Sequence, residues 1–297
     1  MTTASIVRAS PPSLPRRLSG WLHAHPRIRL LLLLALPLAW LIVIYLGSLG
    51  VLFLNAFWSR DTFTSLVVRE FTLDNFIELL TTNVYRAVTF RTVTMALLVT
   101  LTCIVLAYPI AYYMARVASP RLRGIMVVAV VMPLWASYLI KAYSWRLILS
   151  DNGVLDWLLR PLGLGSPGYG DLAVWIVFVY LWLPYMILPI FAGLERIPSS
   201  LLEASGDLGA KGWTTFRRVI FPLTVPAIAA GSIFTFSLTL GDYIVPGLVS
   251  TTQFIGNVIF VNVAQNLPLA AAFSLVPLAI MLLYLAIARR FGAFDAL

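Results

Sequence analysis

The sequence predicts an all-α transmembrane protein: a six-helix bundle with both termini cytoplasmic and one short cytoplasmic helix between the fourth and fifth spans. Three observations predict it. Of 297 residues, 60% are hydrophobic and 11% charged, with a mean hydropathy of +0.91, whereas an average soluble domain carries roughly 25% charged residues. Twenty-one basic and 12 acidic side chains are too few to cover the core that a soluble chain of this length would bury. The charge-free runs have the length of bilayer crossings, and the longest connection holds a short segment bounded by helix-end residues.

Crossing a bilayer takes about 20 mostly apolar residues, and such runs place spans near 30–54, 92–115, 124–145, 172–194, 219–241 and 267–288. Residues 1–29 form a basic cytoplasmic arm and 289–297 a cytoplasmic tail. The first run is too long for a cleavable signal segment of about 7–15 apolar residues, so it is a retained helix. The third is the shortest charge-free run and continues past Lys141, whose long stem can snorkel. Pro184 and Pro189 lie in the fourth span, Pro222 and Pro226 at the start of the fifth, Pro246 beyond it and Pro277 in the sixth. Singly each reads as a packed kink. Together they favour a water-lined path, because freed carbonyls at membrane depth must face protein or water.

Orientation follows from Lys and Arg. Fourteen lie in the arm, the second connection, the fourth connection (residues 195–218) and the tail, and seven lie in the other connections, so the first set is cytoplasmic. The formal net charge of +9 is then membrane topology and not a nucleic-acid surface. A single cysteine, Cys103, excludes an intrachain disulfide or a Cys-rich metal site. His23 and His25 lack companion ligands nearby, so no metal site is expected.

The 195–218 connection is more than a tether. Ser200 followed three residues later by Glu203 predicts a capping box, and Gly209 stands where a left-handed C-cap belongs. Between them fits a helix of about two turns, roughly 12 Å long, presenting Leu201, Leu202, Ala204 and Leu208. A second amphipathic piece, with Trp213, Phe216 and Val219 apolar and Lys211, Arg217 and Arg218 basic, suits the headgroup surface.

These residues resemble the loop that marks the inner-membrane permease subunits of bacterial ATP-binding-cassette importers: Glu-Ala-Ala, three residues, Gly, nine residues, then Ile-x-Leu-Pro. Here Glu203-Ala204-Ser205, Gly209 and Val219-Ile220-Phe221-Pro222 keep the spacing, with Ser205 in place of the second alanine. The likeness extends over most of the chain and is similar to the spermidine/putrescine permeases, through Phe71-Thr72-Leu73-Asp74-Asn75-Phe76, Ala107-Tyr108-Pro109-Ile110-Ala111-Tyr112, Val131-Met132-Pro133-Leu134-Trp135, Asp151-Asn152-Gly153-Val154-Leu155 and Gly241-Asp242-Tyr243-Ile244-Val245-Pro246. The resemblance implies a type I importer permease bundle in the bacterial inner membrane, with Leu202, Glu203, Ala204, Ser205, Leu208, Gly209 and Pro222 coupling it to a cytoplasmic ATPase dimer. It also implies a second homologous permease subunit and a periplasmic or lipid-anchored solute-binding protein. ATP and Mg would be bound by the ATPase, with no cofactor in this chain, because Gly206 to Gly212 lacks the Gly-Lys-Ser/Thr ending of a phosphate loop and follows no strand.

Asp242 is the only acidic residue in the long apolar C-terminal run, and an ionisable group there is a functional candidate by default. It can attract a cationic amine, cap the broken helix end near Pro246, or pair with Lys141 or Arg146. Tyr243 adjoins it. Trp135, Tyr138, Trp145, Tyr180 and Trp182 can offer ring faces to ammonium groups, or serve as an interfacial aromatic belt. The expected activity is import of putrescine- or spermidine-like cations. The alternatives are the same machine importing ferric ion, a phosphonate or an opine, or an autonomous ion-coupled carrier.

Overall fold

The computed structural model describes residues 23, 25–61 and 63–293; the rest of the 1–29 arm and of the 289–297 tail lie outside the described residues. Two units are distinguished, 1–54 and 55–297. In the first, α1 (Pro26–Asn55, reaching the start of the second unit) runs through Pro37 and passes a π-turn at Leu41–Leu46.

The second unit begins with a two-residue hairpin, β1 (Ser59–Arg60) against β2 (Val67–Val68), and then α2 (Asp74–Thr81). The Asn75 side-chain amide ties α2 down, donating to the carbonyls of Ala56 at 3.0 Å and Trp58 at 2.8 Å. The helices α3 (Asn83–Val117), α7 (Asp171–Glu195), α9 (Gly212–Gly241) and α12 (Leu267–Arg290) are each long and apolar enough to cross a bilayer, as is α1. Between α3 and α7 lie α4 (Pro120–Trp135), α5 (Tyr138–Leu149) and the short α6 (Val154–Leu159). The remaining elements are α8 (Ser199–Asp207), α10 (Ile244–Val249) and α11 (Ile255–Gln265).

The third run departs from the expected single helix over 124–145. It is broken at Ala136–Ser137, and α4 and α5 meet at 92°. Both break residues are extended, and Pro133 one turn earlier has already removed a backbone donor from the end of α4. Lys141, instead of only snorkelling, turns back and donates from Nζ to the Pro133 carbonyl at 3.1 Å, capping an orphaned helix end.

α7, α9 and α3 form the centre. On α3, Ala96, Val99, Cys103, Ala107 and Ala111 are fully buried at three- and four-residue spacing; a stripe of small side chains lets membrane helices approach closely. α7 meets it with Val174, Phe178, Leu181, Ile190 and Leu194. The approach of α7 to α9 is tightest at Gly193, where an added Cβ would lie 2.5 Å from the Ala227 Cβ. Gly193→Ala is therefore expected to force the pair apart at a cost of about 1–3 kcal/mol, visible as a lower melting temperature in detergent. An unchanged melt would show that the helices have slack there.

Candidate functional site

Two places carry chemistry. The first is α8 and its flanks. Pro198, extended at φ −64° and ψ 142°, is the N-cap, and no side chain caps the helix. The expected Ser200–Glu203 capping box is absent. Since the helix starts at Ser199, Ser200 is its second residue and cannot adopt the extended N-cap conformation on which the box depends. The far end matches its signal. Gly209 has φ +75°, and two bonds close a Schellman motif: Ala210 N–H to the Ser205 carbonyl at 3.0 Å and Gly209 N–H to the Gly206 carbonyl at 2.8 Å.

This sharp stop leaves Leu208 88% exposed beside Leu201 at 43%. Glu203 and Ala204 are exposed as well, whereas Leu202 packs against the main core. Ser205 is buried and shares a 2.8 Å hydrogen bond with the Thr215 hydroxyl, which fastens α8 to the start of α9. Pro222, with no backbone donor, falls just after a π-turn at Phe216–Ile220, where the helix changes its hydrogen-bond register.

The second place is a cavity of about 410 Å³ lined by Tyr138, Trp182, Ser237, Leu238, Gly241, Asp242, Tyr243 and Ile244. α9 ends at Gly241, and Asp242 leaves it with extended backbone. The carboxylate Oδ1 then accepts from the N–H of Ile244 at 2.8 Å and of Val245 at 3.1 Å, capping α10. Its Oδ2 accepts the Tyr138 hydroxyl. Tyr138 is the first residue of α5, so the 92° break in the third run is what brings this phenol to the carboxylate. The Tyr138 ring stacks on Trp182 of α7, centroids 6.1 Å apart and planes within 8°. The buried indole Nε1 of Trp182 has no hydrogen-bond partner among the described residues.

Residues 104–293 match the family described as binding-protein-dependent transport system inner membrane component. The chain belongs to that family. It is 47% identical over 299 residues to the inner membrane ABC transporter permease protein YdcU of Escherichia coli K12, with 95% of each chain covered. The spermidine/putrescine transport system permease protein PotB of Salmonella typhimurium SL1344 is 35% identical over 261 residues, covering 84% of this chain and 89% of that one. Among solved structures, a bacterial ABC transporter for the acidic polysaccharide alginate has the same fold, with a TM-score of 0.70, 20% identity, and 92% and 99% of the two chains covered. The inward-facing methionine transporter MetNI aligns at a TM-score of 0.55 and 15% identity, over 72% of this chain and 96% of that one. The protein is a membrane permease subunit of an ABC importer, and an inner-membrane one.

Within the permease, four of the seven aromatic and acidic candidates converge on one cavity: Tyr138, Trp182, Asp242 and Tyr243. Trp145 and Tyr180 instead pack edge-on against each other at 5.3 Å, and Trp135 stands 88% exposed at the end of α4. None of these three lines the cavity. Of the alternatives for Asp242, an ion pair with Lys141 or Arg146 is not formed among the described residues: the carboxylate meets Tyr138, and the Lys141 ammonium turns to the Pro133 carbonyl. Of the three readings for Asp242, the helix cap is visible.

Sequence reasoning missed what holds this carboxylate from behind. An added Cβ at Gly256 would sit 2.8 Å from the Asp242 carbonyl oxygen, so α11 can seat against that backbone only with glycine there. The neighbouring Asn257 amide donates to the Tyr243 carbonyl at 2.7 Å. Glycine and asparagine inside an apolar run were the available signal, but which backbone they meet is a tertiary fact.

Proposed function

We propose that this permease forms the translocation path of an importer for small polyamine-like cations, putrescine and spermidine, and that α8 is its coupling helix, docking on a cytoplasmic ATPase dimer. The single observation that carries the cargo reading is the Asp242 carboxylate on a cavity walled by stacked Tyr138 and Trp182. A carboxylate beside aromatic faces suits an ammonium group, each such face contributing about 0.5–2 kcal/mol. The naming of a 35% identical relative for spermidine and putrescine points the same way. One carboxylate does not match every charge of a polyamine. A second homologous permease subunit completes the path, and a periplasmic or lipid-anchored binding protein selects the cargo.

The coupling reading rests on α8, a short helix with a hard C-terminal stop and an apolar tip at Leu208. The 14 Lys and Arg on the side of its connection, against seven on the other, support a cytoplasmic position for this tip and both termini. ATP and Mg are then bound, and ATP hydrolysed, by the partner ATPase.

The test is the whole importer in proteoliposomes, loaded with ATP inside and given labelled putrescine with its binding protein outside. ATP-dependent uptake that unlabelled spermidine suppresses is expected. Uptake of ferric ion, a phosphonate or an opine without uptake of putrescine would overturn the cargo reading. Transport by the permease without any ATPase would overturn the importer mechanism in favour of an autonomous carrier.

A further inference from the structure

α8 is covalently continuous with α7 and α9 alone, yet both ends of its loop are fastened to α3. At the end arriving from α7, Arg116 of α3 donates through Nη2 to the carbonyls of Leu194 at 2.6 Å and Ile197 at 2.9 Å. Arg123 of α4 donates through Nη1 to Glu195 Oε1 at 3.0 Å. Its Nε and Nη2 reach back to the carbonyls of Met114 at 3.1 Å and Ala115 at 3.2 Å. Those two carbonyls belong to a π-turn, Tyr113–Val117, that ends α3; leaving the regular helical ladder turns backbone acceptors toward other donors.

At the end leaving for α9, Phe216 packs edge-on against Tyr108 at 5.7 Å and Tyr112 at 6.2 Å, both on α3. The Tyr108 hydroxyl shares a 3.1 Å hydrogen bond with Thr224. The Arg123–Glu195 pair alone is about a third exposed on each side and would hold little by itself. Five guanidinium bonds converging on residues 114–115 and 194–197 fix a geometry, as the planar fork of arginine allows. The buried Nε of Arg116 has no hydrogen-bond partner among the described residues, while Nη2 of the same guanidinium holds two carbonyls.

We infer that the end of α3, from Tyr108 through the turn to Arg123, receives the coupling motion, with Arg116, Arg123 and Glu195 as positioning residues. The inference rests on the coupling role proposed for α8. Joined through the backbone alone, a displaced α8 would dissipate its motion in the torsions around Pro198 and Gly209. The Ser205–Thr215 bond spans the Gly209 turn, and with residues 194–197 and Phe216 fastened to α3 the motion of α8 passes to α3, which packs directly on α7 and α9 in the core.

The experiment uses the full importer in proteoliposomes, with Cys103→Ala and Ser237→Cys so that a thiol reagent reports the cavity with and without ATP, whatever the cargo. In the parent, ATP should change the labelling rate. In Arg116→Gln/Arg123→Gln, ATP hydrolysis should stay within about twofold while the ATP-dependent labelling change falls at least about fivefold, the lower end of usual coupling between sites. Arg123→Lys, which keeps the pair with Glu195 but not the fork, should recover part of it. A full labelling change in the double variant overturns the inference and leaves the coupling role of α8 intact. A parent that hydrolyses ATP with no labelling change overturns that role and the inference with it. If the double variant does not reach the membrane, Arg116→Gln, which removes both bonds to the Leu194 and Ile197 carbonyls, is read the same way, and a full labelling change there overturns the inference.

Discussion

Gly209→Val should abolish ATP-driven uptake in a permease that still inserts into the membrane. Gly209 holds φ +75°, where an L-residue with a Cβ loses roughly 1–2 kcal/mol and a β-branched one more. The Schellman bonds from Gly209 and Ala210 depend on that conformation. Without it α8 either frays backward through Leu208 or continues forward, and either change moves the 88% exposed Leu208 tip. An added Cβ at Gly209 meets no atom within 4 Å, so the substitution introduces no clash with the membrane helices. The defect is therefore conformational and local. Gly209→Asn should retain most activity, since asparagine also tolerates the left-handed region. Glu203→Ala, on the exposed side of α8, should weaken ATPase association by a smaller amount. Co-purification of the ATPase and uptake by cells or by proteoliposomes loaded with ATP supply the readout. A Gly209→Val variant that keeps both would remove the helix stop from the coupling mechanism.

The contrast between the two sites shows what a sequence can carry. Gly209 was legible because a helix stop is a local event, fixed by the backbone freedom of one residue. The spanning helices were legible because lipid leaves each backbone no alternative to satisfying its own hydrogen bonds. The capping box failed: Ser200 and Glu203 have the right spacing, but with Pro198 as N-cap the helix starts two residues earlier than the box requires. The break at Ala136–Ser137 was not legible, because the residues around it are as apolar as any span and the turn is stabilised by Lys141 reaching back to Pro133. That break matters most, since it delivers Tyr138 to Asp242. Composition named seven candidates for the path. Only the packing of α5, α7 and the end of α9 selects Tyr138, Trp182, Asp242 and Tyr243 and leaves Trp135, Trp145 and Tyr180 elsewhere.

Asp242→Asn separates the two roles that meet in this carboxylate. As a cap, Asp242 needs only an oxygen that accepts the Ile244 and Val245 N–H groups, and asparagine caps helices about as well as aspartate. The melting temperature should therefore stay within about 2–4 °C, the shift expected from less than 1 kcal/mol in a chain of this size. As an attractor for a cation, the side chain needs its charge, and losing a charge-assisted contact costs roughly 1.5–3 kcal/mol. Import of putrescine should fall about 10- to 100-fold through kcat/KM, while docking of the binding protein on the outer surface is unchanged. Asp242→Ala should lower import and melting temperature together, because it removes the α10 cap as well. Tyr138→Phe keeps the ring stack on Trp182 but frees one carboxylate oxygen, so it distinguishes a carboxylate that serves the fold from one that serves the cargo. Full import by Asp242→Asn would confine this residue to capping and leave selection to the binding protein and the partner subunit.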